Sequence, residues 1–167
     1  MPHAHPPRLD TLRLDTGSWV NTPTDQLIDH ILHEFHERHR QQLPELIRLA
    51  RRVEQVHSGH PECPNGLADH LCDIHQALES HMQKEEQILF PMLLRGESLM
   101  ARGPISVMRF EHQQHDEGLA RLRGLTNDNQ PPEYACGTWR TLYRELEIFC
   151  QELDQHIQLE NEVLFNR

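Results

Sequence analysis

The chain has 167 residues, enough for one ordinary domain and too few for two. A domain of this size buries roughly 70% of the surface its unfolded chain exposes, so it can build a core without disulfides. A formal net charge of −10 argues against a nucleic acid or an anionic membrane as partner, and no apolar run is long enough to span a bilayer.

Fourteen histidines stand against an aromatic content of only 5%. An excess of histidine serves as metal ligand, pH switch or polar surface. Cys63, Cys72, Cys136 and Cys150 include no CxxC pair and suggest neither a zinc knuckle nor a disulfide framework. Free thiols in a reducing cytoplasm are the expectation. The opening Met-Pro-His-Ala-His-Pro-Pro lacks the charged start, apolar middle and cleavage site of a signal peptide, which also points to the cytoplasm.

Residues 1–21 are proline-rich and aperiodic, and are expected to form a flexible amino-terminal segment in which His3 and His5 bind metals only adventitiously. Residues 22–167 are expected to form one domain. Thr22 reads as an N-cap, Pro23 as the first helical position and Asp25 as the acidic member of a loose capping box. Helix A is thus predicted over 23–57. Residues 58–66 hold two glycines and two prolines and form a connection. Helix B follows over 67–95, with Pro91 as a kink or early end. After a second connection over 96–103, Pro104 opens helix C, 104–125. A third loop over 127–132 leads into helix D, 134–165. No stretch alternates apolar and polar residues as a strand does, so the fold class is all-α: an up-down-up-down antiparallel four-helix bundle.

Spacings of three and four residues define the seam of each helix. On helix B the seam is Leu71, Ile74, Leu78, His81, Glu85, Ile88 and Met92. On helix D it is Leu146, Phe149, Leu153, His156, Glu160 and Val163. A shift of 75 positions superposes the two columns, taking His81 onto His156 and Glu85 onto Glu160. The flanking text repeats as well, Glu86-Gln87-Ile88-Leu89-Phe90 against Asn161-Glu162-Val163-Leu164-Phe165. Helices A and C repeat at a shift of 76. Leu32, His36, His39, Leu43 and Leu46 match Met108, His112, His115, Leu119 and Leu122. The chain is two copies of one helical pair, related by a pseudo-two-fold axis.

The repeat places polar groups on a stripe that should be apolar throughout. Burying a carboxylate and an imidazole there costs several kcal/mol per charge unless something compensates. A histidine followed four residues later by a glutamate puts both side chains on one helix face, one turn apart. Helices B and D supply two such pairs. Helices A and C add imidazoles from His36 or His39 and from His112 or His115. Four imidazoles and two carboxylates are too many for one tetrahedral zinc and suit two octahedral ions bridged by Glu85 and Glu160. A water-derived oxo or hydroxo bridge adds a fifth ligand and leaves about one position per metal for an exogenous molecule. Mixed nitrogen and oxygen ligation suits iron, while manganese and zinc fit the same cage. His30, His33, His57, His60, His70 and His75 are expected in solvent. Met82, Met92 and Met108 are expected to fill core.

Longer runs carry a resemblance. Ile-Asp-His-Ile (28–31), His-Arg-Gln-Gln-Leu-Pro-Glu-Leu (39–46) and Ser-His-Met-Gln-Lys-Glu-Glu-Gln-Ile-Leu-Phe-Pro-Met (80–92) resemble the hemerythrin-like domain of the iron-sulfur cluster repair family, also called repair of iron centres. Gly-Pro-Ile-Ser-Val-Met (103–108), Glu111-His112 and His-Ile-Gln-Leu-Glu-Asn-Glu-Val-Leu-Phe (156–165) match too, so the likeness spans roughly 22–165. The resemblance implies His36 and His112 as the ligands from helices A and C, beside His81, Glu85, His156 and Glu160. It implies two iron ions as cofactor. Glu111, next to a ligand, is placed to orient it or relay protons. Full-length members also carry a small amino-terminal domain with paired cysteines, and no such pair occurs in residues 1–21.

The resemblance further implies a cytoplasmic protein of nitrosative and oxidative stress defence, and a well-packed bundle of this length is expected to be a monomer. Such a protein supplies iron to damaged iron-sulfur proteins, or binds or reduces nitric oxide. Whether it turns over as an enzyme is left open. The alternative is a hemerythrin-type module that binds or senses oxygen or nitric oxide. Oxygen carriers of that type use HxxxH on the third helix and a histidine-to-aspartate pair on the fourth. Here Asp116 lies four after His112, and the fourth helix has HxxxE. A ferroxidase or peroxide-consuming enzyme and a structural zinc bundle are the remaining readings. No nucleophilic triad or phosphate loop is present.

Overall fold

The computed structural model describes residues 15–167. Helix α1, residues 24–57, joins α-helical Thr24–Ile31, a π-helical turn Leu32–His36 and α-helical Glu37–His57. Helix α2, residues 67–94, is built the same way from Leu67–Lys84, the π-helical turn Glu85–Leu89 and Phe90–Leu94. Helix α3 is Arg102–Leu125, and α4 is Gly137–Glu162 with a closing 3₁₀ turn, Leu164–Asn166. No strand occurs among the described residues. Short loops make sequence neighbours antiparallel, and α1 and α3 each pack against both α2 and α4.

Each helix crosses from one apolar cluster to another. The first cluster contains Leu43, Leu78, Leu119, Trp139, Phe149 and Leu153. The second contains Leu27, Phe35, Leu89, Met108, Leu159 and Phe165. The passage on α1 falls between Phe35 and Leu43, on α2 between Met82 and Leu89, and on α3 between Met108 and Leu119. On α4 it falls between Ile157 and Leu159. His36, His81, Glu85, His112, His156 and Glu160 lie at or beside these crossings, each at most 1% exposed. The bundle is therefore a polar layer clamped between two dry ones.

Several local expectations shift. Helix α1 begins at Thr24 with Pro23 as its N-cap, and neither Thr22 nor Asp25 supplies a side-chain cap. Helix α3 begins two residues before Pro104, which its third turnless N–H position tolerates. Ile88, expected on the α2 seam, is 50% exposed, while Leu89 and Leu93 are buried in its stead and Met92 is only partly buried. The cause is the π-helical turn at Glu85–Leu89. Its wider winding carries one extra residue and moves the apolar face on by one position. Pro91 is the second residue after that turn, and the helix continues through it to Leu94.

The expected flexible segment, 1–21, together with His3 and His5, falls largely outside the described residues. Of its described part, Thr16–Trp19 forms a 3₁₀ turn. There the carbonyl oxygens of Trp19 and Val20 accept hydrogen bonds from the Arg167 guanidinium. His70, expected in solvent, is buried, with Nε2 2.8 Å from the Gly118 carbonyl oxygen. All four cysteines are free. Among the described residues, no helix is long and apolar enough to cross a membrane.

Candidate metal centre

The polar layer draws one histidine from each helix and a glutamate from α2 and α4. Glu85 opens the π-helical turn of α2, and His36 closes that of α1. Two sets of four ligand atoms result, each within 4.8 Å of one another: His36, Glu85, His156 and Glu160 in one, His81, Glu85, His112 and Glu160 in the other. Both glutamates belong to both sets. Glu85 Oε1 lies 3.3 Å from His36 Nε2 and 3.3 Å from His81 Nε2. Glu160 Oε1 lies 2.9 Å from His112 Nε2, and its Oε2 lies 3.2 Å from His156 Nε2. All six residues expected from the sequence are brought together.

The atoms facing inward are short of hydrogen-bond partners. Nε2 of His36, His81 and His156, both oxygens of Glu85 and Oε2 of Glu160 are buried without one. Orphaned polar atoms of this kind cost roughly 1–3 kcal/mol each, and more when charged. Two divalent cations would satisfy all of them at once. Every donor is an imidazole nitrogen or a carboxylate oxygen, which suits a first-row transition metal, so the residues fit the group.

The outward nitrogens are held in sequence around the bundle, each by the next helix. His36 Nδ1 on α1 lies 2.6 Å from Glu86 Oε2 on α2, and His81 Nδ1 on α2 lies 3.0 Å from Glu111 Oε1 on α3. His112 Nδ1 on α3 lies 2.8 Å from Asn161 Oδ1 on α4. His156 Nδ1 on α4 lies 3.1 Å from His39 Nε2 on α1. Such partners fix the tautomer that leaves Nε2 free for a metal. Glu86 is itself held by Arg40, and Glu111 by Lys84. Phe90 stacks on His36 and Phe165 on His112, a pair related by the internal repeat. Phe35 stacks on His156, with ring centroids 5.2 Å apart.

Glu111 was legible as a neighbour of His112, yet it serves His81. Glu86 and Asn161 were visible only as repeat-related residues following Glu85 and Glu160. His39 and His115 are buried but belong to neither four-atom set. His39 backs His156, whereas His115 packs edge-on to His81 with its Nε2 unpartnered.

The ionisation of the metal-free layer follows its geometry. Burial pulls the His36 imidazole down, but contacts with Glu85 and Glu86 outweigh it and raise it to about 9. For His81 burial is likewise outweighed, by Glu160 and Glu85, and the ring rises to about 10. His156 is lowered instead: burial dominates, against the pull of Glu160. Burial also lowers His39, assisted by His156, and takes His115 down to about 3 beside His81 and His112. Burial would raise Glu160, yet His156, His112 and His81 hold it well below the usual carboxylate range. The carboxylates thus demand positive charge, supplied either by protons on His36 and His81 or by cations.

A buried four-helix layer of histidines and glutamates that selects cations defines a class. Residues 27–167 match the family described as Hemerythrin HHE cation binding domain, and the chain belongs to that family. Within it the chain groups with the iron-sulfur cluster repair proteins. It is 49% identical over 149 residues to the iron-sulfur cluster repair protein YtfE of Citrobacter koseri, covering 89% of this chain and 68% of that one. The protein of the same name from Escherichia coli O1:K1 is 48% identical with the same coverage, as is that from Escherichia fergusonii.

Proposed function

We propose that the chain is a non-heme di-iron protein of iron-sulfur cluster repair, acting in nitrosative and oxidative stress defence. Its site residues in this reading are His36, His81, Glu85, His112, His156 and Glu160, which would hold two irons, Glu85 and Glu160 being shared by both four-atom sets. The carrying observation is the pair of four-atom sets fused through two glutamates that are 0% exposed and short of partners. The mixed nitrogen and oxygen donor set admits iron, and the names of the relatives support iron over zinc. When bound, the two irons supply one-electron chemistry and an open position for a diatomic such as nitric oxide or oxygen.

The protein's own groups bind and orient. Glu86 and Glu111 each place an anion behind one histidine of each set, strengthening those two rings as donors. Asn161 and His39 place a neutral acceptor behind the other two. Phe35, Phe90 and Phe165 keep water from the second apolar side of the layer. A cleft of about 340 Å³ is lined by Ser80, Lys84, Glu111, Gln114 and His115 among others, and Glu111 and His115 separate it from His81, which makes this the side from which a small ligand would approach. The same proposal takes 22–167 as the domain, a monomer as the working unit and the cytoplasm as its place.

The test loads the chain with ferrous iron under anaerobic conditions and mixes it with an iron-sulfur enzyme inactivated by nitric oxide. Restored activity is expected, or, with an external electron donor supplied in excess, consumption of nitric oxide over many turnovers. Reversible binding of the diatomic without either outcome would favour the sensing module. A protein that holds two irons yet does none of these refutes the functional reading.

A further inference from the structure

The internal repeat keeps the same roles behind His36 and His112, where Glu86 matches Asn161, and exchanges them behind the other two histidines. A shift of 76 relates Phe35 to Glu111 and His39 to His115. Behind His81 the repeat supplies a carboxylate from Glu111, and the nearby His115 makes no hydrogen bond through Nε2. Behind His156 the roles are exchanged. Phe35 stacks on the ring, and His39 provides the partner for Nδ1. We infer that His39 is a positioning residue: a neutral imidazole that fixes the orientation and tautomer of His156, and so retention of the cation at the His36–His156 subsite. This inference rests on the di-metal reading above.

Hydrogen-bond direction carries it. His156 Nε2 is turned to Glu160 Oε2 at 3.2 Å, so a cation there requires the ring proton on Nδ1. That Nδ1–H donates to His39 Nε2 at 3.1 Å. A neutral imidazole has one donor and one acceptor, so the His39 proton lies on Nδ1. His39 Nδ1–H then donates to Gln42 Oε1 at 3.3 Å, which settles the amide orientation. Gln42 Nε2 donates to Glu152 Oε2 at 2.8 Å, and Arg38 Nε donates to the same oxygen at 3.0 Å. Every group has a single consistent proton placement once a cation occupies the centre. The chain runs from a fully buried ligand to a carboxylate near the surface. Phe35 and Phe149 pack against the His39 ring, leaving it no other partner to turn to.

The test uses the full chain and its His39→Leu, His39→Gln and Gln42→Leu variants. Loss of such a partner weakens metal retention by about 10- to 100-fold. His39→Leu is expected to release one of its two ferrous ions to a chelator about 10- to 100-fold faster than wild type. The other ion is released at a rate within severalfold of wild type. His39→Gln, whose side-chain amide keeps an acceptor near the His39 Nε2 position, restores most of the retention. Gln42→Leu shows a smaller acceleration confined to the same ion. In the zinc-loaded, ¹⁵N-histidine-labelled protein, a coupling across the His156 Nδ1–H···Nε2 His39 hydrogen bond is expected, a signature that mere packing would not give. If His39→Leu does not fold, Gln42→Leu and the coupling decide. Unchanged release in the variants, or no coupling, overturns the inference. A wild-type chain that binds no metal pair overturns the underlying reading instead, and the two failures are distinguishable.

Discussion

Replacing Glu85 by Gln separates a cation cage from a merely buried polar cluster. The substitution keeps side-chain volume and removes one charge from a group that is 0% exposed and shared by both four-atom sets. A carboxamide cannot bridge two cations as a carboxylate does, but its oxygen can still accept from the Nε2–H of His36 or His81, each 3.3 Å from Glu85 Oε1. The metal-free variant is expected to melt below the metal-free wild type, because removing one partner of a buried pair leaves the charge on His36 and His81 less compensated. Metal changes the outcome. A cation present at a hundredfold excess over its Kd stabilises the folded state by about 2.7 kcal/mol, so two add about 5 kcal/mol. At about 2–4 °C per kcal/mol for a domain of this size, ferrous iron should raise the wild-type Tm by about 10–20 °C. In Glu85→Gln most of that increment should vanish. Anaerobic thermal melts with and without iron, followed by circular dichroism, measure both terms. An undiminished increment in the variant would refute the bridging role of Glu85.

Other outcomes follow from the same geometry. The metal-free His36 and His81 rings, raised to about 9 and about 10, stabilise the fold fully below the ordinary histidine value near 6.5. That stability is lost as pH rises through 9 to 10, so the metal-free Tm should fall from pH 7 to 10; a Tm that holds or rises contradicts it. Because those protons must leave before a metal binds, and His112, its burial outweighed by Glu160, is raised as well, loading near pH 7.5 should release two or more protons per chain, measurable in weakly buffered solution. Glu111→Gln leaves a weaker acceptor at 3.0 Å from His81 Nδ1, and ferrous iron affinity should drop by about 10- to 100-fold in a chelator competition. Leu142→Ala empties a fully buried position in the first apolar cluster and should cost about 2–5 kcal/mol in urea unfolding, with the metal-binding stoichiometry intact.

Much of the centre was legible because its signal was doubled. A lone histidine four before a glutamate is common on solvated helix faces, but His81/Glu85 and His156/Glu160 occupy the same height on matching apolar columns. The choice between His36 and His39, and between His112 and His115, was not written in the periodicity, since both members of each pair face inward. What separates them is depth and direction: the π-helical turn ending at His36 carries its Nε2 to Glu85, while His39 stops one ring short, against His156. The same kind of turn in α2 defeated the seam beyond Glu85. Regular spacing chose Ile88 and Met92, and the extra residue in the turn handed the core to Leu89 and Leu93. His70 was assigned to solvent by residue type, but a backbone carbonyl on α3 accepts from it and pays for its burial.

One measurement reaches the central claim most directly. Crystals of the chain reconstituted with iron, with diffraction data collected at the iron absorption edge, should show two anomalous peaks in the polar layer. One is expected between His36 and His156 and the other between His81 and His112, with Glu85 and Glu160 spanning both. A single peak, or iron found only at surface histidines such as His33, would contradict the account.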